Sequence, residues 1–309
     1  MTVVVLGSIN LDLVIEVPYL PVKGETVIGD RFYSAAGGKA ANQAVAIAKL
    51  GTSVSLVGQV GNDSFGKTLI EGLQNVGVNT EGIIVNPQTY SGIASIVVDR
   101  QGANTIACAG GANNLVREPE IEQFKKLLPQ AKIVLLELGI PIATVLHAAR
   151  EAKAHNCLLI LDPAPVNAEL PEELYSLVDI ITPNEVEASQ LVGFTVDGVT
   201  TARQAASFLH QMGVQNVIIT LGSQGSLYSN QAESFWIEPI TVPVVDTVAA
   251  GDAFNGALAV ALALGKSIPE AVQWGTVGGA LAVTKNGAQS SLPSKDSFLE
   301  LLRKQTLSD

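Results

Sequence analysis

The sequence predicts an α/β protein with three layers, in which helices cover both faces of a parallel sheet in a Rossmann-like arrangement. Short apolar, β-branched runs alternate with segments of helical period along most of the chain. This alternation is typical of a parallel sheet that is buried on both faces. The 309 residues are ample for one large core, and no repeat or low-complexity linker divides them. We therefore expect residues 1–309 to form a single domain.

The strands and helices are predicted from apolar runs and from amphipathic spacing, respectively. Ligands of parallel α/β sheets bind beyond the carboxyl ends of the strands, so the loops at those ends are the candidate functional segments. We expect strands at 3–6, 53–57, 133–136, 158–161, 180–182 and 217–220, helices at 40–50, 65–76, 142–154, 201–212 and 255–264, and functional loops at 7–12, 162–164, 182–187, 221–225 and 246–252.

Residues 11–35 and 91–106 break the alternation, because both show a period of two with turn residues and no helix between strands. We predict that they form one small antiparallel sheet that acts as a lid on the main domain. Its outer face, with Val14, Tyr19 and Phe32, would need a partner. We therefore expect a homodimer formed through the lid.

Composition excludes several classes of partner. The net charge is −11 with only 18 Lys and Arg residues, which argues against nucleic-acid binding. No apolar run approaches the roughly 20 residues that span a bilayer, and the start "MTVVVLGSIN" lacks the basic region of a signal peptide. Cys108 and Cys157 lie far apart without a metal-binding spacing, so a reducing cytoplasm is the expected location.

The segment "DTVAAGDAF" (246–254) places small residues between two acids at the start of a predicted helix. A helix start carries unpaired N–H groups and a partial positive charge, so small side chains there let a large anion approach. Asp252 beside such a phosphate cradle could take a proton from the attacking group. An ordinary helix cap is the alternative for the same residues.

Two further segments offer polar groups suited to sugar hydroxyls. Gly37 and Gly38 precede a helix on which Lys39 and Asn42 lie one turn apart, and Asn42 is followed by an almost wholly apolar helix. A tight turn with solvated polar residues is the alternative. In "LGSINLD" (6–12), Asn10 and Asp12 follow the first strand at i and i+2, where a pair can both donate and accept hydrogen bonds, or simply form a turn.

Three later segments suit a nucleotide or a cation. In "TPNEVEAS" (182–189), Asn184 and Glu187 could face a magnesium-bound phosphate through waters, or could form a capping arrangement. "ITLGSQGSLY" (219–228) ends a strand in a glycine-bearing loop that leaves Thr220 and Ser223 free to touch a nucleotide. The loop "TKNGAQSSLP" (284–293) could wrap a cation or an adenine edge. No GxGxxG fingerprint is present.

Taken in order, these segments resemble the ribokinase and phosphofructokinase-B family of sugar and nucleoside kinases. The resemblance extends over essentially the whole chain through "GSINLD", "GGKAANQA", "AGANN", "DPAP", "VDIITPNEVEA", "ITLGSQG", "DTVAAGDAFNGALA" and "TKNGAQSSLP". It implies a ribokinase-like fold and transfer of the γ-phosphate of ATP to the primary hydroxyl of a furanose, with D-ribose giving D-ribose 5-phosphate. A fructokinase or another family member is the alternative within enzymes.

The resemblance also implies a role for each matching residue. Asp252 would be the catalytic base, helped by an anion hole of backbone amides. The enzyme would have ATP, Mg²⁺ and K⁺ as cofactors. The helix start would keep Asp252 ionised and therefore a weak base. The implied sets are Ala249, Ala250 and Gly251 for the anion hole; Asn10, Asp12, Gly38, Lys39, Asn42 and Asp252 for the sugar; Asn184, Glu187 (through Mg²⁺), Thr220, Leu221, Gly222, Ser223, Gln224, Gly225, Gly251 and Thr276 for ATP; and Asp246, Val248, Ala282, Lys285, Gly287 and Ser291 for K⁺.

One position departs from the family pattern. Ribokinases usually read Gln-Leu-Glu where this chain has "LLELGIP" (135–141), so Gly139 stands where the final Glu contacts the sugar. Glu137 lies roughly 6 to 7 Å away along the strand and is not expected to replace it. Fructose or another pentose could then fit, and Gly139 is also the feature that favours a catalytically silent sugar- or nucleotide-sensing module.

Overall fold

The computed structural model describes residues 2–166 and 169–306. Its strands in chain order are β1 (Thr2–Leu6), β2 (Asn10–Val17), β3 (Arg31–Gly37), β4 (Ser53–Gly61), β5 (Asn79–Asn86), β6 (Gly92–Asp99), β7 (Asn104–Ala109), β8 (Ala131–Glu137), β9 (Leu158–Asp162), β10 (Ile180–Ile181), β11 (Asn216–Thr220), β12 (Ser226–Ser229) and β13 (Ser234–Ile237). Its α-helices are α1 (Lys39–Lys49), α2 (Ser64–Asn75), α3 (Glu118–Leu127), α4 (Ile142–Ala154), α5 (Glu172–Leu177), α6 (Glu185–Val192), α7 (Val199–Gln211), α8 (Ala250–Ala263), α9 (Ile268–Ala282) and α10 (Lys295–Thr306).

The main sheet has nine strands among the described residues, in the order β13-β12-β11-β10-β9-β8-β1-β4-β5. The strands from β11 to β5 pair in parallel, and β12 and β13 extend one edge as an antiparallel hairpin. The carboxyl ends of the parallel strands therefore share one edge of the sheet. The predicted functional segments at 7–12, 162–164, 182–187 and 221–225 begin at the ends of β1, β9, β10 and β11 at that edge, which confirms their placement. The segment at 246–252 does not directly follow a described strand, contrary to prediction, and leads into α8.

Helices cover both faces of the main sheet, as the sequence predicts. Successive residues of β1 point to opposite faces, so Val3 and Val5 lie in one apolar core while Val4 and Leu6 lie in the other. The first core includes residues of α1, α2, α8, α9 and α10, and the second includes residues of α3, α4, α5, α6 and α7. The three-layer α/β/α arrangement is thus confirmed. No helix of the described residues has both the length and the apolar content to cross a membrane.

The small second sheet is formed by the two predicted segments, in the order β3-β2-β6-β7. Its two outer pairings, β2 with β3 and β6 with β7, are antiparallel as predicted, whereas β2 and β6 pair in parallel. The parallel pair arises because each excursion begins from the end of the main domain with a strand in the same direction. Val14 pairs with Tyr33 and is buried, whereas Ile15 pairs with the exposed Phe32. The placement of Val14 on the exposed outer face was therefore wrong.

Asn10 and Asp12 also lie in an element that the sequence did not separate from the first strand. Strand β1 ends at Leu6, and both polar residues belong to β2. Because they are two residues apart in one strand, they still point to the same face of the small sheet. A strand of the small sheet, rather than the end of the main sheet, therefore carries this pair.

Candidate active site

The segment before α8 leaves the start of that helix open. Ala249 adopts a left-handed conformation with φ of 61°, which is uncommon for a residue with a side chain. Gly251 is exposed, and a Cβ atom built on it would meet nothing within 4 Å. The Ala250 N–H donates to the Thr247 carbonyl oxygen over a long 3.3 Å, while within the described chain the N–H groups of Gly251 and Asp252 have no protein acceptor. The helix start can therefore receive an anion.

Asp252 lies in the first turn of α8 with its side chain buried. Asn42 Nδ2 donates to its Oδ2 at 2.8 Å, and Gln43 Nε2 lies 3.3 Å from its Oδ1. Burial raises the pKa of Asp252, and Lys39 and the two amide donors offset this only in part. The expectation that this carboxylate is a weak base is thus wrong in direction, because desolvation outweighs the charge of Lys39 and the two amide donors.

Lys39 and a second buried carboxylate complete the polar cluster around Asp252. Lys39 Nζ lies 3.9 Å from Asp162 Oδ2, and Gln43 Nε2 donates to the same oxygen at 2.8 Å. Burial alone would lower the pKa of Lys39, but the surrounding carboxylates, Asp162 foremost, raise it above its usual value. Burial raises the pKa of Asp162, which Lys39 opposes. Within this cluster the single ammonium faces several acids.

These groups line a cavity of about 200 Å³ at the carboxyl edge of the main sheet. Apart from Lys39 at the start of α1, the residues that line it come from the carboxyl ends of β9 and β11, from the segment after β10, and from the start of α8 with the loop before it. They are Lys39, Asp162, Thr182, Asn184, Glu187, Thr220, Thr247, Ala249, Ala250, Gly251, Asp252, Phe254 and Asn255.

Asn184 and Glu187 form the capping arrangement that was the alternative to a phosphate site. Asn184 Oδ1 accepts from the N–H groups of Val186 and Glu187, and Glu187 Oε2 accepts from the Asn184 N–H, each at 2.9 Å. Both side chains nevertheless line the cavity with Asp252. Burial raises the pKa of Glu187. A cap and a ligand contact are compatible here because one Glu187 oxygen stays outside the cap.

The loop after β11 is a compact turn. Thr220 lines the cavity, the Leu221 N–H bonds to the Gly225 carbonyl oxygen at 2.8 Å, and the Leu221 side chain is buried. Gly222, Ser223 and Gln224 are exposed in a single 3₁₀ turn. The Thr276 hydroxyl lies apart from them in α9, where it donates to the Val272 carbonyl oxygen at 3.0 Å.

The predicted sugar residues gather where the small sheet meets α1. Asn113 Nδ2 donates to Asn10 Oδ1 at 2.7 Å and so fixes that side chain. Gly38 has a φ of 92°, and a Cβ atom there would lie 2.7 Å from the Ser8 carbonyl oxygen. Only glycine fits both constraints. Burial and then the charge of Asp252 raise the pKa of Asp12 to about 6.

Asp12 lines a larger cavity, of about 680 Å³, between the small sheet and the loops at 244–248 and 286–288. This cavity and the smaller one share Thr247 as a lining residue. The electrostatic effect of Asp252 on Asp12 likewise places the two acids near one another across this junction. The arrangement provides adjoining spaces for two reactants.

The six residues that the resemblance assigns to K⁺ come together in two joined loops. Asp246 Oδ1 accepts from the Val248 N–H at 3.0 Å, and Asp246 Oδ2 accepts from the Gly287 N–H at 2.9 Å. Ala282 and Lys285 are joined by a backbone hydrogen bond of 3.3 Å, and the buried Ser291 donates to Ala288. The oxygen atoms available to a cation belong to a carboxylate, to backbone carbonyls and to a hydroxyl, which are the ligands of a hard cation. No cluster of three or more acidic, His or Cys side chains suited to a metal occurs in residues 2–166 and 169–306.

Comparisons with known proteins agree with this geometry. The pfkB family carbohydrate kinase model matches residues 1–295. The chain belongs to this family. It is 42% identical to a ribokinase of Haemophilus influenzae over 97% of this chain and 98% of that protein, and 35% identical to a deoxyribokinase of Salmonella typhimurium over 98% and 99%. The solved structure of Arabidopsis thaliana ribokinase complexed with ribose and ATP has a TM-score of 0.89 at 34% identity, covering 97% of this chain and 98% of that one.

Several residues of this pfkB site were missed as individual candidates. Gln43 and Asp162 lie in quoted segments, but neither had been singled out, although a second amide beside Asn42 in an apolar helix was a usable signal. Asn113 likewise lies in "AGANN" without an assigned role. Thr182 and Asn255, whose side chains share a hydrogen bond of 2.8 Å, also line the cavity. Thr182 lies in the predicted functional loop at 182–187 without an assigned role, and Asn255 lies in a predicted helix.

Glu137 does not replace the acid that is absent at position 139. Its carboxylate is completely buried, where it accepts from the Ser8 N–H and from the Gly139 N–H, the latter at 2.6 Å. Burial raises its pKa. A Cβ atom on Gly139 would lie 2.7 Å from Glu137 Oε2. The Glu137 side chain therefore occupies the space that a larger residue at 139 would need.

Proposed function

We propose that this pfkB family member is an ATP-dependent sugar kinase that transfers the γ-phosphate to the primary hydroxyl of a furanose, with D-ribose as substrate and D-ribose 5-phosphate as product. One observation carries the proposal. The buried carboxylate of Asp252 and the open start of α8 face the same cavity of about 200 Å³. A base beside an anion site is the pair of groups that phosphoryl transfer to an alcohol requires.

In the proposed reaction, the sugar oxygen forms a bond to the γ-phosphorus while the bond from that phosphorus to the oxygen of ADP breaks. The proton of the sugar hydroxyl passes to Asp252. The backbone N–H groups of Ala249, Ala250 and Gly251 stabilise the charge on the migrating phosphoryl group. The raised pKa of Asp252 makes it a stronger base than a solvated aspartate. Positioning and charge neutralisation contribute most of the rate.

The proposed sugar site lies next to Asp252, with Asn10, Asp12, Gly38, Lys39 and Asn42 as its groups. Asn42 supports this role, because its Oδ1 is buried without a protein partner among the described residues and can accept a hydrogen bond from a sugar hydroxyl. Gly38 allows close approach of the sugar to the backbone. Asp12 lines the larger adjoining cavity below the small sheet.

ATP would lie along Asn184, Glu187 and the loop 220–225, and Thr276 would make a further contact with it. The acids Asp162, Glu187 and Asp252 line the cavity beside one cation, Lys39. A polyphosphate added to this cluster needs a further positive charge, which supports Mg²⁺ as a cofactor held through Glu187. When bound with ATP, Mg²⁺ neutralises part of the phosphate charge.

K⁺ is proposed as an activator at the loops held by Asp246. Both Asp246 oxygens accept N–H groups yet keep lone pairs, and Val248, Ala282, Lys285, Gly287 and Ser291 bring further oxygens to the same loops. Since Val248 directly precedes Ala249, a cation bound here would stabilise the conformation of the segment 246–249, which leads into the anion site.

Gly139 favours a second group of acceptor sugars, which bind without the contact that a Glu side chain at this position makes in the family pattern. Similarity to a deoxyribokinase makes 2-deoxyribose one such acceptor, and fructose is another. The loss of one buried hydroxyl partner changes discrimination by about 1 to 3 kcal/mol. The ranking of these sugars therefore depends on the groups around Gly139.

A coupled assay of ADP release tests the proposal. Ribose, 2-deoxyribose, fructose and adenosine are supplied at millimolar Mg²⁺ and K⁺, and a reaction without sugar is the control. Release with ribose at the highest kcat/KM is expected. Release with adenosine alone would make the chain a nucleoside kinase, and no release with any acceptor would favour a sensing module.

We also propose that the small sheet forms a homodimer interface. Its exposed apolar residues include Phe32, which is 64% exposed, and Ile15 beside it, and Ile28 in the connecting loop is 86% exposed. Covering such a patch releases bound water. Sedimentation should give a dimer that Phe32→Asp converts to a monomer; a wild-type monomer at every concentration would contradict it.

A cytoplasmic location is proposed because ATP is the donor and both Cys108 and Cys157 are free thiols.

A further inference from the structure

Gln43 lies between two buried carboxylates of the cluster. Its side chain is fully buried, and its Nε2 donates to Asp162 Oδ2 at 2.8 Å and reaches Asp252 Oδ1 at 3.3 Å. We infer that Gln43 is a positioning residue, which holds the Asp252 carboxylate in the orientation needed to accept the sugar proton. The inference rests on the proposed kinase function and adds a residue to it.

The hydrogen bonds of Gln43 favour this role over a purely structural one. Its Oε1 is buried and has no partner among the described residues. Buried amides normally pair both of their polar atoms, and an unpaired oxygen destabilises the fold. The two carboxylates alone therefore fix the orientation of this amide, and the amide in turn fixes them.

Electrostatics give Gln43 a measurable effect. The charged groups that face Asp252 are Lys39 on α1, Asp12 on β2, Asp162 at the end of β9 and Glu187 on α6; the buried Glu137 on β8 faces Lys39 and Asp162. Only Lys39 is positive. Removal of the Gln43 donor withdraws one of the few contacts that favour the charged form of Asp252, so the pKa of Asp252 should rise.

Gln43→Met removes the amide and keeps an unbranched side chain of similar size. We expect kcat to fall about tenfold or more with KM for sugar changed less than about threefold, because a misplaced reacting group affects turnover first. The acid limb of the kcat profile should move up by about half a pH unit or more. Gln59→Met is the matched control. Gln59 does not line the cavity, and its Nε2 donates to the buried Glu120 at a distance of 2.6 Å.

Asp162→Asn gives the opposite test. It removes the carboxylate whose pKa the charge of Asp252 raises; because this repulsion is mutual, the pKa of Asp252 should fall and the acid limb should move down. A ¹³C NMR titration of the Asp252 carboxyl in wild type, Gln43→Met and Asp162→Asn measures the same shifts without turnover. It keeps the test independent of the proposed function, whose own failure would be the absence of ADP release by wild type.

Opposite shifts in the two variants support the inference. Unchanged titration of Asp252 in both, or equal losses of kcat in Gln43→Met and Gln59→Met, would overturn it and leave Gln43 as a structural residue. If Gln43→Met does not fold, Gln43→Asn takes its place, because it keeps an amide but shortens its reach to Asp252: a larger loss of kcat than in Gln59→Asn together with an upward shift of the Asp252 titration supports the inference, and equal losses or no shift overturn it.

Discussion

Gly139→Ala tests how the buried Glu137 carboxylate shapes the sugar end of the site. The added Cβ would lie 2.7 Å from Glu137 Oε2 and 2.9 Å from the Ser8 Cβ, so both side chains must shift. Overpacking of this kind costs about 1 to 3 kcal/mol. Gly139 is not in the left-handed region, so the reduced entropy of the unfolded chain returns about 0.4 to 1 kcal/mol. We expect a net loss of about 1 to 2 kcal/mol in the free energy of unfolding.

Equilibrium urea denaturation measures this loss, and a double-mutant cycle with Glu137→Ala identifies its cause. In the Glu137→Ala background, most of the Gly139→Ala penalty should disappear, because the closest atom is gone. Gly72→Ala is the control, since Gly72 lies inside α2 with nothing within 4 Å of its added Cβ and should gain about 0.5 to 1 kcal/mol. An unchanged stability of Gly139→Ala, or an equal penalty in both backgrounds, would refute the reasoning.

Three further predictions follow from the site. Gly251→Leu should lower kcat about 100-fold or more with little change in the melting temperature, because the new side chain projects into open space at the anion site; unchanged kcat would contradict it. Asp246→Ala should raise the K⁺ concentration for half-maximal activity about tenfold or more, measured by titration against a background of tetramethylammonium. Equal K⁺ dependence in variant and wild type would remove Asp246 from the cation site. Because the pKa of Asp12 is about 6, its carboxylate loses charge as the pH falls, so the calorimetric Kd for sugar should rise below about pH 6; a flat profile would exclude Asp12 from sugar binding.

Much of the fold was predictable because the buried strands are almost purely apolar. β1, β8 and β9 form runs that the sequence marks clearly, and the helix at Ile142–Ala154 has the predicted bounds. β5 and β13 were not predicted, because these edge strands are half exposed and lack a continuous apolar run. The parallel pairing of β2 with β6 depends on where each excursion leaves the main domain, which local spacing does not encode.

The site was predictable where chemistry is local and not where it depends on the fold. The small residues before Asp252 indicated either an anion site or an ordinary helix cap, and the structure leaves the Gly251 N–H free, as an anion site requires. The direction of the pKa shift of Asp252 was missed, because burial beside Lys39 and Gln43 is created by α1 packing against α8. The sequence indicates the electrostatic field at a helix start, but it does not show that packing removes water from around the Asp252 carboxylate.

Asp252→Asn tests the central claim, that this carboxylate takes the sugar proton beside the open start of α8. The variant should fold, because rotation of the Asn42 amide turns its unpaired buried Oδ1 toward the introduced amide, which can donate to it. Turnover and sugar affinity are measured on the same preparation, by ADP release and by calorimetry. The account predicts a kcat lower by about 10² to 10⁴ with the Kd for sugar changed only a few-fold. A kcat close to that of wild type, or a loss confined to sugar binding, would contradict it.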